Sequence, residues 1–221
     1  MPFLLSRIER IRNATQQRLH DMTPQTGDFY VLIGLSSALA TLGLLMNNIA
    51  VVIGAMVVAP LVTPLFAFSL SLLIFQIRDL GRSFLAILMG TILAIGMSAL
   101  VGWGGFFVAG NWETLTSEIL SRSEPNMFFF LVALFSGMAG SFAYAKPKIL
   151  ESVTGIAISV AIIPPLAVSG IGIALNDMFL FKQSFLLYTF NVIGICLGSI
   201  LMFIFLGFGK KIENAKPVKK K

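Results

Sequence analysis

Charge is what this chain has least of. Only 12% of its 221 residues are charged, against roughly 25% in a soluble domain, while 57% are hydrophobic. Such a composition leaves no room for a sizeable soluble domain and implies a polytopic membrane protein. Cysteine is nearly absent as well. The single Cys196 lies in an apolar segment, so no intrachain disulfide framework exists. Histidine occurs once, as His20, before the first apolar run, and has no assigned role. No Asp, Glu, His, Lys or Arg lies deep inside an apolar run, and Glu151 and Asp177 sit at the edges. A mid-membrane proton relay needs a buried titratable group, and a hydroxyl nucleophile needs a base. Proton antiport and catalysis are therefore disfavoured, and no catalytic residue, metal site or cofactor is expected. The net charge of +6 raises nucleic acid as a partner. The basic residues cluster beside apolar segments, however, and membrane orientation accounts for them better.

What is present is length. Apolar runs fall at about residues 28–46, 49–76, 83–109, 127–144, 152–175 and 184–208, each meeting the roughly 17–25 residues of a spanning helix. The long polar lead before the first run reads as part of an uncleaved signal anchor. With a cytoplasmic N-terminus, the inside holds Arg7, Arg10, Arg12, Arg18, Arg78, Arg82, Lys146, Lys148, Lys210, Lys211, Lys216, Lys219, Lys220 and Lys221, and the outside only Arg122 and Lys182. This asymmetry predicts six spans in the inner membrane with both termini cytoplasmic. Tyr30, Trp103 and Tyr144 fall near expected span ends and read as interfacial aromatics. Residues 1–27 place Leu4, Ile8, Ile11, Thr15, Leu19 and Met22 at helical spacing among arginines. They form either a basic amphipathic helix on the inner leaflet, a disordered lead, or a helix packed on its own spans. Residues 209–221 read as a basic tail near anionic lipid.

The chain also resembles itself. Slid by 101 positions, residues 52–100 match at Val52, Gly54, Pro64, Leu65, Ser83, Phe84, Leu85, Ile92, Ser98 and Leu100. Those 10 identities over 49 positions compare with about 4 expected between two such apolar sequences. The offset predicts two repeats, residues 28–109 and 127–208. Three spans each is an odd number, so the second repeat crosses in the opposite sense.

Both repeats break a span with proline. Pro60 and Pro64 interrupt the second, and Pro164 and Pro165 the fifth. Each break is about 12 residues, or roughly 18 Å, from its span end, near the middle of a hydrocarbon layer about 30 Å thick. Proline lacks an N–H and clashes with the carbonyl four residues back, which frees the carbonyls of Met56, Pro60, Val160 and Ala161. Thr63, Ser159 and Ser169 add hydroxyls, and Gly54, Gly155 and Gly170 allow close approach or bending. Freed carbonyls suit a cation and half-helix N-termini an anion. The other reading is two kinks repaired by neighbouring Ser or Thr. Asn191, in the sixth span, is interhelical glue or a secondary ligand. Asn47-Asn48 reads as an outer turn. Gly194-Ile-Cys-Leu-Gly198 and Ser136-Gly-Met-Ala-Gly140 suit close helix packing within or between subunits, so a homo-oligomer stays open.

The stretches Val52-Ile-Gly-Ala-Met-Val-Val-Ala-Pro-Leu-Val-Thr-Pro64 and Gly155-Ile-Ala-Ile-Ser-Val-Ala-Ile-Ile-Pro-Pro-Leu-Ala-Val-Ser-Gly-Ile-Gly172 resemble the bacterial and archaeal membrane family known as domain of unknown function 389. The resemblance covers about residues 28–208 and implies a multi-span inner-membrane protein. It supplies no substrate or catalytic residues. Many relatives carry an extra soluble N-terminal domain, where this chain has a short basic lead. The expectation is an all-α, six-span protein of two inverted three-helix repeats. It would act as a transporter or channel for a small solute or ion, with a non-transporting scaffold, lipid-binding protein or partner subunit as the alternative.

Overall fold

The computed structural model describes residues 27–109, 115–145 and 162–208, and every regular element among them is a helix. In chain order these are α1 (Gly27–Leu45), α2 (Ile49–Val58), α3 (Val62–Leu73), α4 (Ile77–Ala109), α5 (Ser117–Leu120), α6 (Met127–Ala145), α7 (Ile163–Ala174) and α8 (Met178–Phe205). The basic lead, the basic tail and residues 146–161 lie outside the described residues. So do Ser159, Val160, Ala161 and the first half of the expected fifth span.

Four helices, α1, α4, α6 and α8, are long and apolar enough to cross a membrane. The pair α2 and α3 makes a fifth crossing if its two halves, bent by 51°, are taken as one span. The expected loop at residues 78–82 is instead helical, as is the expected loop at Lys182 and Gln183. The charged residues at both places lie inside the first turns of long helices rather than between helices. Asp177 caps α8, its carboxylate accepting from the amides of Phe179 and Leu180 at 3.0 Å each.

Small residues set the closest contacts. A Cβ on Gly194 or Gly198 of α8 would run into the backbone of α6 at Phe130, Leu134 and Met138, and one on Gly137 would strike Ile195. The Gly194/Gly198 motif therefore packs within the chain, against α6. Gly54, by contrast, has nothing within 4 Å of where a Cβ would stand, so close approach is not its role. Gly170 does carry one, with α4 at Ile95 and Ser98 against it.

These contacts also fix helix directions. Ile33 lies beside Gly90 and Gly34 beside Met97, so α1 and α4 run the same way. By the same test α6 and α8 run the same way, and α7 runs with α4, since Gly170 meets Ser98 and Gly102 meets Ala174. A tight turn after α7 reverses the chain into α8, so α6 and α8 run against α1 and α4. Helix positions follow the sequence offset as well. Val62–Leu73 and Ile163–Ala174 begin and end 101 positions apart, and α4 and α8 start at Ile77 and Met178, again 101 apart.

Helices α1, α3, α7 and α8 end in the same way. In each, an amide donates five residues back: Asn48 to Gly43 at 2.8 Å, Gln76 to Ser71 at 2.9 Å, Asp177 to Gly172 at 2.8 Å, and Phe208 to Phe203 at 2.9 Å. This closure places one residue in the left-handed region, here Asn47 (φ 53°), Phe75 (φ 56°), Asn176 (φ 56°) and Gly207 (φ 85°). Asn and Gly accept that conformation, but for other residues it costs about 1–2 kcal/mol. Phe75 is the exception, and its partner at the 101 offset is Asn176.

The turn after α1 does two jobs. Asn48 caps α2, accepting from the amides of Ala50 at 3.1 Å and Val51 at 3.3 Å. The Asn47 side chain accepts from the Ser117 hydroxyl at 3.0 Å and the Glu118 amide at 3.2 Å. The Thr116 hydroxyl donates to the Leu44 carbonyl at 2.8 Å, and Ile119 is buried. The connection from α4 to α6 is thus clipped onto the end of the bundle where α1 turns into α2.

Candidate functional site

The interruption of the second span lies at residues 59–61, between α2 and α3. Pro60 is its cause. A residue before proline is pushed out of the helical region, and Ala59 is extended, at φ −74° and ψ 122°. Pro60 also has no N–H for the carbonyl of Met56, whose side chain is buried. Pro64 does not break the span, contrary to the sequence expectation. It is the third residue of α3, where amides have no intrahelical partner in any case, so its missing N–H costs little. With 10 and 12 residues, α2 and α3 extend about 15 and 18 Å, so the interruption lies near the middle of the bent pair.

Two hydroxyl partners from distant helices meet this interruption. Ser36 of α1 donates to the carbonyl of Ala55, in the last turn of α2, at 2.6 Å. Thr63, in the first turn of α3, shares a hydrogen bond with the Tyr144 hydroxyl at 3.3 Å. The Tyr144 ring stands edge-on to Phe66, centroids 5.4 Å apart. Tyr144 is buried and is not the interfacial aromatic its place near a span end suggests. Nothing in the sequence signals that Ser36 or Tyr144 reaches residues 55–66, because only tertiary packing brings them there.

On the other side lies α7. Pro164 and Pro165 are its second and third residues, inside its first turn, and both are buried. They open a helix here, as proline readily does. Their effect on the carbonyls of Val160 and Ala161 lies outside the described residues. The Ser169 hydroxyl donates to the carbonyl of Pro165 at 2.8 Å, within its own helix. Met56, Ala59 and Leu61 share one buried cluster with Ile162, Ile163 and Leu166, so the two proline segments belong to the same core. Asn191 is buried midway along α8, one turn from Tyr188, whose hydroxyl hydrogen-bonds Thr91 of α4 at 2.6 Å.

The chemistry assembled is neutral: backbone carbonyls, the N-terminal ends of α3 and α7, and the hydroxyls of Ser36, Thr63 and Tyr144. Among the described residues no group of three or more His, Cys, Asp or Glu comes together. Such an arrangement can replace water around a small solute or ion through dipoles, without net charge.

Several long apolar helices, with every regular element among the described residues helical, define the class as a multi-pass membrane protein. The chain belongs to the family described as domain of unknown function (DUF389), which matches over residues 56–197. It is similar to an uncharacterized protein of Methanocaldococcus jannaschii, 27% identical over 199 residues, covering 87% of this chain and 58% of that relative. The chain thus spans 58% of the length of that curated relative. No solved structure matches it.

Proposed function

We propose that the protein moves a small solute or ion across the inner membrane, through a site at the Pro60 interruption and its counterpart around Pro164 and Pro165. One observation carries this reading: an apolar helix pair long enough to cross a membrane is interrupted at residues 59–61 inside the protein core, in one buried cluster with the start of the proline-initiated α7. In lipid, interrupted backbone is tolerated only where it is buried in protein or lines a water-filled cavity. Paired interruptions in two repeats are the strongest pointer to a transport site. Two inverted repeats of three spans fit the 101-position offset and the opposed helix directions. A non-transporting scaffold is the second reading, and one contact favours it: Ser36 already satisfies the Ala55 carbonyl, as in a repaired kink.

The reading predicts a flux into sealed vesicles holding the purified protein, assayed over small anions, cations and neutral solutes. Thr63→Val should lower that flux and Pro60→Ala should lower it further, by at least about tenfold. Absence of any protein-dependent flux across the panel counts against transport. Orientation has its own test. A reporter active only outside the cytoplasm should work when fused near Glu118 and fail after Lys216. Strong activity at the C-terminal fusion rejects six spans with both ends inside.

A further inference from the structure

Phe75 stands where the backbone disfavours it and the fold does not need it. Three of the four helix ends closed by the same hydrogen-bond pattern use Asn or Gly at the left-handed position, and only α3 uses a bulky aromatic. The ring brings no packing in return, since Phe75 is 87% exposed. A residue that breaks a local rule without a folding benefit is a sign of function. Its surroundings say which. Ile77 is 82% exposed, and Arg78 and Arg82 follow on the first two turns of α4. Asp79 lies 3.8 Å from Arg82, on the same turns. Helix α4, Ile77–Ala109, has 33 residues and extends about 50 Å, more than the roughly 40–45 Å of a bilayer with its headgroups, and its charged residues Arg78, Asp79 and Arg82 all lie in its first two turns. Residues 75–78 thereby fall at headgroup level. At the matching turn after α7 the sequence is Asn176-Asp177-Met178-Phe179, with an acidic residue and no arginine.

We propose that the turn of residues 75–77, with Arg78 and Arg82, binds the headgroup of an anionic phospholipid. The Phe75 ring and Ile77 lie among the upper acyl carbons, and the guanidinium groups hold the phosphate. Clustered basic residues at a membrane surface favour anionic lipid, and arginine is suited to phosphate by its planar fork of donors. The site rests on the proposed orientation only in being cytoplasmic. Its lipid preference can be read in symmetric vesicles whichever way the protein inserts.

The test is Phe75→Trp in a Trp103→Phe, Trp112→Phe background, reconstituted with brominated phosphatidylglycerol or brominated phosphatidylcholine at equal mole fraction. The anionic lipid should quench the tryptophan about fivefold more effectively, as one net arginine charge near an anionic surface implies, since Asp79 offsets Arg82. Arg78→Gln with Arg82→Gln should abolish the preference while quenching persists. Equal quenching by the two lipids overturns the proposal, and so does no quenching by either. Failure of the triple variant to fold when the Trp103→Phe, Trp112→Phe background folds also overturns it, because a ring so exposed bears on no packing. Phe75→Asn supplies an independent reading. It should raise the melting temperature in detergent by relieving the left-handed strain, and a marked fall would mean that the ring holds the fold instead.

Discussion

Gly198→Val should leave no correctly folded protein. A Cβ at residue 198 overlaps the backbone of Leu134 and Met138, and two helix backbones have no flexible end that can move aside. Overpacking of a core costs about 1–3 kcal/mol where side chains can shift, so a backbone overlap should exceed that range. Van der Waals packing of small residues is a main source of helix association in lipid, and α6 and α8 depend on it at Gly137, Gly194 and Gly198 together. Size-exclusion chromatography in detergent should show aggregate in place of a single species. Gly54→Ala is the control: nothing lies within 4 Å of its added methyl, and alanine is the better helix former by about 0.8–1 kcal/mol. That variant should remain folded and melt at the wild-type temperature or above.

Pro60→Ala should separate stability from function. It restores an N–H that can pair with the carbonyl of Met56 and frees Ala59 from its extended conformation. Alanine is favoured over proline by up to about 3 kcal/mol in a helix interior, so the variant should be at least as stable as wild type in thermal unfolding. Its flux should fall by at least about tenfold, a loss equivalent to about 1.4 kcal/mol, because the re-formed helix recaptures the dipoles of the site. Pro64→Ala should do little in either assay, since residue 64 lies in the first turn of α3. If Pro60→Ala is unstable while its folded fraction keeps full flux, the interruption is a bend that fits the bundle and no site.

The sequence makes the helical membrane class legible because so few charges interrupt its apolar runs. Prolines and matched residues also disclose the 101-position offset, which recurs in the bounds of α3 and α7 and in the starts of α4 and α8. Helix ends are less legible. Charges at Arg78 and Lys182 break the apolar runs without ending the helices, whereas hydrogen-bonded turns and the Asp177 cap decide where helices stop and start. Two prolines four residues apart look equivalent in a string. Only the helix start at Val62 shows that Pro60 interrupts and Pro64 does not. Ser36 and Tyr144 reach the interruption from 19 and 81 positions away from their partners, a tertiary fact that no local pattern encodes.

Water at the Pro60 interruption is the central claim, and one labelling rate tests it. Thr63→Cys in a Cys196→Ser background, sealed in vesicles, is exposed to a membrane-impermeant thiol reagent added in turn to either side. The account predicts modification from at least one side, slowed strongly by adding Pro60→Ala, while Leu100→Cys, on an exposed apolar face of α4, stays unmodified. Thr63→Cys as inert as Leu100→Cys from both sides would contradict it.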